Sequence, residues 1–209
     1  RSTELMNILA IDSASIVCGV ALFLNNKLVE LNEVIQSRIH GGRLPVVIDQ
    51  LLTNHKVDPN QLDGFAISSG PGSYTGLRIG INLIRGLAAA SAVPIIQVPT
   101  LRAMNAHIKQ EGIYWVILHS HKNMVYAQRY NSGRPASEII YEKFQMEKYI
   151  NIYGFNLEKI CKYYESAPPS AQYIGELALK YYDKWLETDL NKIAPNYIAN
   201  FNLDKMKKV

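Results

Sequence analysis

The sequence predicts an α/β fold made of two successive halves. Three observations carry that prediction. Short apolar runs of strand length alternate with longer runs of helical periodicity. A strand, a glycine turn and a helix follow one another without a break between Gly64 and Ala92. The order of strands and helices then partly restarts after Gly112.

Asn7 to Asp12 reads as a buried strand and Val17 to Leu24 as a second. Asn25-Asn26 between them and the next run is a two-residue hairpin turn, because Asn tolerates the positive φ that such turns require. Lys27 to Val34 is a third strand, with alternation at Leu28 and Glu30. A helix follows from about Gly42 to His55, its apolar positions Leu44, Val47, Ile48, Leu51 and Leu52 spaced i, i+3, i+4, i+7, i+8. Then come a strand Gly64–Ile67, a helix Leu77–Ala92, a strand Ile95–Val98 and a helix Thr100–Gln110. This βββαβαβα order is the half-unit of a ribonuclease-H-like fold. In the second half, Tyr114–Leu118, Met124–Tyr130 and Glu138–Lys143 read as strands. Helices are expected at Leu157–Tyr164 and Gly175–Leu186, with strands at Gln172–Ile174 and Pro195–Ala199. The expected division is an N-terminal lobe, 7–108, and a degenerate C-terminal lobe, 109–209. Residues 1–6 read as an expression remnant and a start methionine, Met6.

Composition narrows the function classes. A chain of 209 residues with 48% hydrophobic and 19% charged residues is ordinary globular protein. Its net charge of +4 is mild and scattered, and the one basic cluster, Lys205-Met206-Lys207-Lys208, reads as a solvated end. Cys18 and Cys161 stand apart, with no CxxC or Cys/His spacing for zinc or redox chemistry, which suits a reducing cytosol. No apolar run reaches the length of a membrane span, and no signal-peptide pattern precedes Met6.

The stretch from Ser68 to Gly80 is the most specific in the chain. Gly70-Pro71-Gly72 fixes a sharp turn, since glycine reaches φ > 0 and proline holds φ near −65°. Ser73 or Thr75 caps the helix that follows. A strand, a glycine turn and a helix N-terminus can hold an anion, with Asp12 and Ser13 from the first strand and Gly70, Gly72, Ser73 and Thr75 from the turn as candidates. The plainer alternative is a well-capped turn with no ligand. The helix itself carries two apolar stripes, Leu77/Ile81/Ile84/Ala88 and Gly76/Gly80/Leu83/Leu87, beside a polar stripe of Arg78, Asn82 and Arg85. Either both stripes are buried within the chain or the second meets a partner.

The string GPGSYTGLRIG resembles the signature of the TsaB (YeaZ) family. Weaker matches fall in the same order: Ile8 to Ser15, His40 with Leu44-Pro45, Met124 to Ala127, and Pro195 to Ile198. The resemblance implies two ribonuclease-H-like lobes of the actin, sugar-kinase and Hsp70-like ATPase superfamily. It also implies a cytoplasmic, non-catalytic partner that binds and activates TsaD. TsaD transfers a threonylcarbamoyl group to N6 of adenosine 37 in tRNAs reading ANN codons. The TsaE ATPase would join the complex, tRNA would be met indirectly through it, and the chain alone could form a homodimer. The implied interface is the helix pair of the first half, through Leu44, Val47, Leu51, Gly76, Gly80, Leu83 and Leu87.

Measured against working members of that superfamily, the residues for chemistry are missing. Asp12-Ser13-Ala14-Ser15 has no glycine for close approach to phosphate, and an aspartate there can simply bond its own turn. The second hairpin reads Leu118-His119-Ser120-His121-Lys122-Asn123-Met124, without the expected carboxylate. TsaD carries two metal-binding histidines four residues apart on a helix; Thr100 and Met104 stand at that spacing here. His119 and His121 lack an evident third ligand, and no HExxH or GxSxG element occurs. No catalytic residue, metal or cofactor is therefore expected. The alternative is a small ATP-binding phosphotransferase or ATPase using Asp12 and the Gly70–Gly76 loop.

Overall fold

The computed structural model describes residues 4–35 and 40–198. The first sheet begins with β1 (Ile8–Asp12), β2 (Val17–Leu24) and β3 (Lys27–Ile35), an antiparallel meander. Asn25 and Asn26 both take positive φ, 52° and 64°, as the hairpin required. Helix α1 (His40–His55) leads to β4 (Gly64–Gly70), and α2 (Tyr74–Ser91) leads to β5 (Ile95–Pro99). β4 lies parallel to both β1 and β5. The short helix α3 (Thr100–Asn105) then crosses to the second sheet.

That sheet is built from β6 (Ile113–His119), β7 (Met124–Asn131), β8 (Arg134–Pro135), β9 (Ile140–Lys143), β10 (Ile152–Phe155) and β11 (Glu165–Ser166). Its order is β11-β10-β6-β7-β8, with β9 also pairing β7. The chain closes with α4 (Ala171–Lys180), α5 (Tyr182–Trp185) and β12 (Leu186–Glu187). β12 pairs with β5, so the first sheet runs β12-β5-β4-β1-β2-β3.

The middle of the first sheet is covered on both faces, which explains why β1 is a continuous apolar run rather than an alternating one. Leu9 and Ile11 pack under α1 and α2 with Leu44, Val47, Leu51, Ile81 and Ile84. Ile8 and Ala10 face the other way, onto Ala171, Ile174 and Ala178 of α4. A third cluster joins the two sheets: Val17, Leu101 and Met104 meet Tyr114, Val116, Leu118 and Tyr126. A fourth covers the far face of the second sheet with Ile117, Val125, Phe144, Leu157 and Cys161.

Several elements differ from expectation. β4 runs on to Gly70, and α3 stops at Asn105 rather than Gln110. Leu157 to Tyr164 makes a single turn, with the Ile160 and Cys161 amides donating to the Leu157 carbonyl, before the chain leaves for β11. Gln172–Ile174 is helix, not strand. Ser170 caps α4 by accepting from the Gln172 amide at 3.1 Å, and Ala171, Ile174, Gly175 and Ala178 form its buried stripe. The expected helix to Leu186 breaks after Lys180. Pro195 to Ile198 forms no strand, and Ala199 lies outside the described residues, as do Arg1 to Thr3 and the basic end Lys205–Lys208. A division at residue 108 follows the two sheets only as far as β11. α4, β12 and Ile193 return to the first sheet because its second face and its β5 edge have no other cover. Among the described residues, no helix is long and apolar enough to cross a membrane.

Candidate functional site

The C-terminal ends of β1, β4 and β5 lie side by side, and this edge gathers the buried polar residues Asp12, Ser13, Ser68, Ser69 and Thr100. Asp12 is wholly buried; its Oδ1 accepts from the Ala14 amide at 2.9 Å, a local turn bond. The Ser13 amide donates to Ser68 Oγ at 3.3 Å. Burial pushes the Asp12 carboxyl up to about 6, against the pull of the Ala14 amide and the Ser68 hydroxyl, and the charge of Glu33 adds to the rise. Asp12 Oδ2, Ser13 Oγ and Thr100 Oγ1 are buried with no hydrogen-bond partner among the described residues. Glu33 in turn accepts from the Ala171 amide at 2.6 Å, at the start of α4.

The glycine turn docks onto this edge. Ser73, not Thr75, is the cap of α2: its Oγ accepts from the Gly76 amide at 3.2 Å, while Thr75 is exposed. The Ser73 amide donates to the Ala14 carbonyl at 2.6 Å. A Cβ added at Gly72 would collide with the Ala14 carbonyl, one at Gly76 with the Ser13 carbonyl, and one at Gly80 with Ser13 Oγ. The turn after β1 and the start of α2 thus close on each other through Ser13, Ala14, Gly72, Ser73 and Gly76, a self-filled joint from which exposed Thr75 stands apart. The carbonyls of Ser13 and Ala14 pack directly against Gly76 and Gly72, which leaves little open space on that side of the turn for a phosphate. Gly70 takes φ +110°, a conformation open to glycine, and a Cβ there would lie 2.7 Å from the Asn196 carbonyl oxygen.

The last described residues cross over this joint. The Asn196 amide donates to the Ser69 carbonyl at 2.7 Å. Arg78 Nε donates to the Tyr197 hydroxyl at 2.9 Å, with its guanidinium 4.0 Å above the Tyr74 ring. Ile198 packs into the cluster between the sheets. Sequence reading missed this bridge, because residues 78 and 197 carry no shared motif; the only signal was the Pro-x-Tyr ending.

The expected partner surface needs redrawing. Leu44, Val47 and Leu51 are buried under the sheet, and Gly76 and Gly80 face Ser13 rather than outward. Gly76 and Gly80 do admit a close backbone, but it belongs to this chain. Of the seven residues, only Leu83 and Leu87 are half-exposed. The outward face of the helix pair instead carries Val46, 55% exposed, half-buried Ile79, Leu83 and Leu87, and exposed Asn82, Gly86, Ala89 and Ala90.

The histidines of the second hairpin are held separately. His119 Nε2 donates to the Lys122 carbonyl at 2.8 Å and its Nδ1 lies 3.1 Å from Asn156 Nδ2. His121 Nδ1 lies 3.2 Å from Ser120 Oγ and 3.4 Å from the Tyr141 hydroxyl. Among the described residues no three His, Cys, Asp or Glu side chains gather for a metal. Thr100 and Met104 are buried in α3. Burial pushes the Cys18 thiol up to about 11, which leaves it no thiolate for nucleophilic chemistry at neutral pH.

The family model described as TsaD, tRNA N6-adenosine threonylcarbamoyltransferase, matches residues 33–180. A Haemophilus influenzae protein named tRNA threonylcarbamoyladenosine biosynthesis protein TsaB is 37% identical over 99 residues, 47% of this chain and 42% of that protein. The Buchnera aphidicola (subsp. Acyrthosiphon pisum) protein of the same name is 27% identical over 153 residues, 66% of this chain and 69% of its own. This chain thus spans less than half the length of the Haemophilus relative. A solved Pseudomonas aeruginosa structure, described as an uncharacterized protein with similarity to peptidase YEAZ, superposes with a TM-score of 0.76 at 20% identity. The superposition covers 93% of this chain and 100% of that one, a likeness of fold.

Proposed function

This chain belongs to the TsaB (YeaZ) family, and from that premise we propose that it is a non-catalytic subunit of tRNA threonylcarbamoyladenosine synthesis, with the two-lobed fold of the actin, sugar-kinase and Hsp70-like proteins. In this reading it binds a TsaD protein and supports threonylcarbamoyl transfer to N6 of adenosine 37. The TsaE ATPase joins the assembled pair, in the cytoplasm.

The observation that carries the reading is Gly86. It sits in the interior of an 18-residue helix, on the exposed face, with nothing within 4 Å of the Cβ it lacks. A glycine there destabilises the helix by about 1 kcal/mol relative to alanine, and no contact among the described residues explains it. The close approach of another helix does. Val46, Ile79, Leu83 and Leu87 around it supply the apolar area that such a contact buries. The self-filled glycine joint argues against the phosphotransferase alternative, since it offers phosphate no cradle.

Calorimetric titration of the chain with TsaD from the same organism, with and without Mg-ATP, tests this. Saturable one-to-one binding is expected, weakened at least tenfold by Gly86→Arg. No binding to TsaD, together with saturable heat from Mg-ATP added to the chain alone, would favour the phosphotransferase. In the absence of TsaD, self-association through the same face is expected, and Gly86→Arg should abolish it.

A further inference from the structure

A small aromatic and cationic platform lies at the surface beside the glycine turn. It consists of Tyr74 and Arg78, on the first turns of α2, and Tyr197, brought to them from 119 residues beyond Arg78. The Arg78 guanidinium carbon lies 4.0 Å from the centre of the Tyr74 ring and 5.9 Å from that of Tyr197. The two rings are 5.2 Å apart, tilted by 31°. Yet Tyr74 is 41% and Tyr197 39% exposed, and Arg78 is exposed as well. Three large side chains are thus ordered at the surface rather than in the core.

Their order comes from elsewhere. Asn196 is pinned to Ser69 on one side of Tyr197, and Ile198 is packed between the sheets on the other. The helix start is already capped by Ser73, and the turn is already closed by Ala14. A pre-ordered surface group binds without the entropy cost of fixing its rotamers.

We propose that the Tyr74–Arg78–Tyr197 platform is a contact for single-stranded RNA, with a nucleobase stacked on the tyrosine rings and a phosphate on the guanidinium. This deepens the reading above and rests on it, by naming how the chain itself would touch the RNA. Ring faces stack any base, and an arginine lying on an aromatic ring keeps its N–H edge in plane, where it meets phosphate. A guanidinium carries five N–H donors, more than its contacts with the Tyr197 and Tyr74 hydroxyls take up. The net charge of +4 favours the approach of a polyanion. The platform lies at the start of α2, about two turns before Gly86, and exposed Ser73, Thr75 and Asn196 flank it.

The test is fluorescence anisotropy of a labelled anticodon stem–loop RNA, titrated with the chain alone and with its TsaD complex, while assembly is followed separately by calorimetry. Arg78→Ala should weaken RNA binding roughly five- to tenfold at low salt and reduce the dependence of log K on log salt by about one. Tyr197→Phe, which keeps the ring and removes the acceptor that holds Arg78, should fall between Arg78→Ala and wild type. Affinity for TsaD should stay within about twofold in both variants. Unchanged RNA binding by Arg78→Ala, or no RNA binding by the wild type in either setting, overturns the inference. Parallel loss of TsaD binding would make the platform a protein contact and also overturns it. A wild type that binds RNA but not TsaD, with the loss in Arg78→Ala intact, would remove the proposed partnership and leave the platform standing.

Discussion

Asp12 is a carboxyl without a counter-charge. It is fully buried, one oxygen has no partner, and Glu33 adds repulsion rather than relief. Its folded pKa, near 6, lies above the ordinary 3.8. The folded state therefore holds the proton more tightly than the unfolded chain. The stability this confers is full below pH 3.8 and is lost as pH rises through 6. Asp12→Asn removes that loss, since the amide stays neutral. The variant is expected to be more stable than wild type at pH 8 by about 2–3 kcal/mol, at roughly 1.4 kcal/mol per pKa unit, and by much less at pH 4. Denaturant melts of both proteins at the two pH values would check this; a gap that does not change with pH would contradict it. That Asp12 would bond its own turn was legible from the run Asp12-Ser13-Ala14-Ser15. That the Ala14 carbonyl would fill the glycine turn was not, because a backbone carbonyl has no signature in the sequence.

Two glycines on one helix make opposite predictions. Gly80 faces inward onto Ser13 and Ile67, and Gly86 faces open space. Gly80→Ala must push the turn after β1 away from α2, so a loss of about 1–3 kcal/mol is expected, as for an overpacked core. Gly86→Ala should instead stabilise the isolated chain by up to about 1 kcal/mol. Thermal melts distinguish the signs, and the two variants changing in the same direction would refute the assignment of faces. Helix periodicity showed that α2 has two apolar stripes; it could not say which one meets this chain's own backbone. α4 was misread for a related reason. Its buried stripe is made of Ala171, Ile174, Gly175 and Ala178, mostly small residues with little hydrophobic signal. They are small because β1 and Phe23 press against them: a Cβ at Gly175 would collide with the Phe23 ring. Strands β1, β2 and β3, by contrast, were legible nearly to the residue, since β1 and β2 are buried on both faces and the Asn-Asn turn marks the start of the more exposed β3.

At the scale of the molecule, the two lobes are not two segments. The first sheet is completed by α4, β12 and Ile193, the last of these 1% exposed beneath the helix layer. A fragment of residues 7–108 therefore leaves the face of Ile8, Ala10, Phe23, Ala66 and Val98 uncovered. Expressed alone, it is expected to show no cooperative melt and to aggregate. A stable, cooperatively melting fragment would mean that this cover is dispensable. The element order of the first half was legible because β1, β2 and β3 pair in succession and each later strand follows a helix with a clear apolar stripe. The return of the chain was not, since it depends on which uncovered face the later segments find.

The same return sets a clock on the ribosome. About 80 residues are added between the end of β5 and the end of α4, which at 5–20 residues per second takes roughly 4–16 s. Through that interval the earliest-made sheet waits with one face bare, although every strand it needs except β12 has already been synthesised. The nascent chain completes its beginning last, and any factor that shelters nascent apolar surface has its longest appointment here with the first hundred residues.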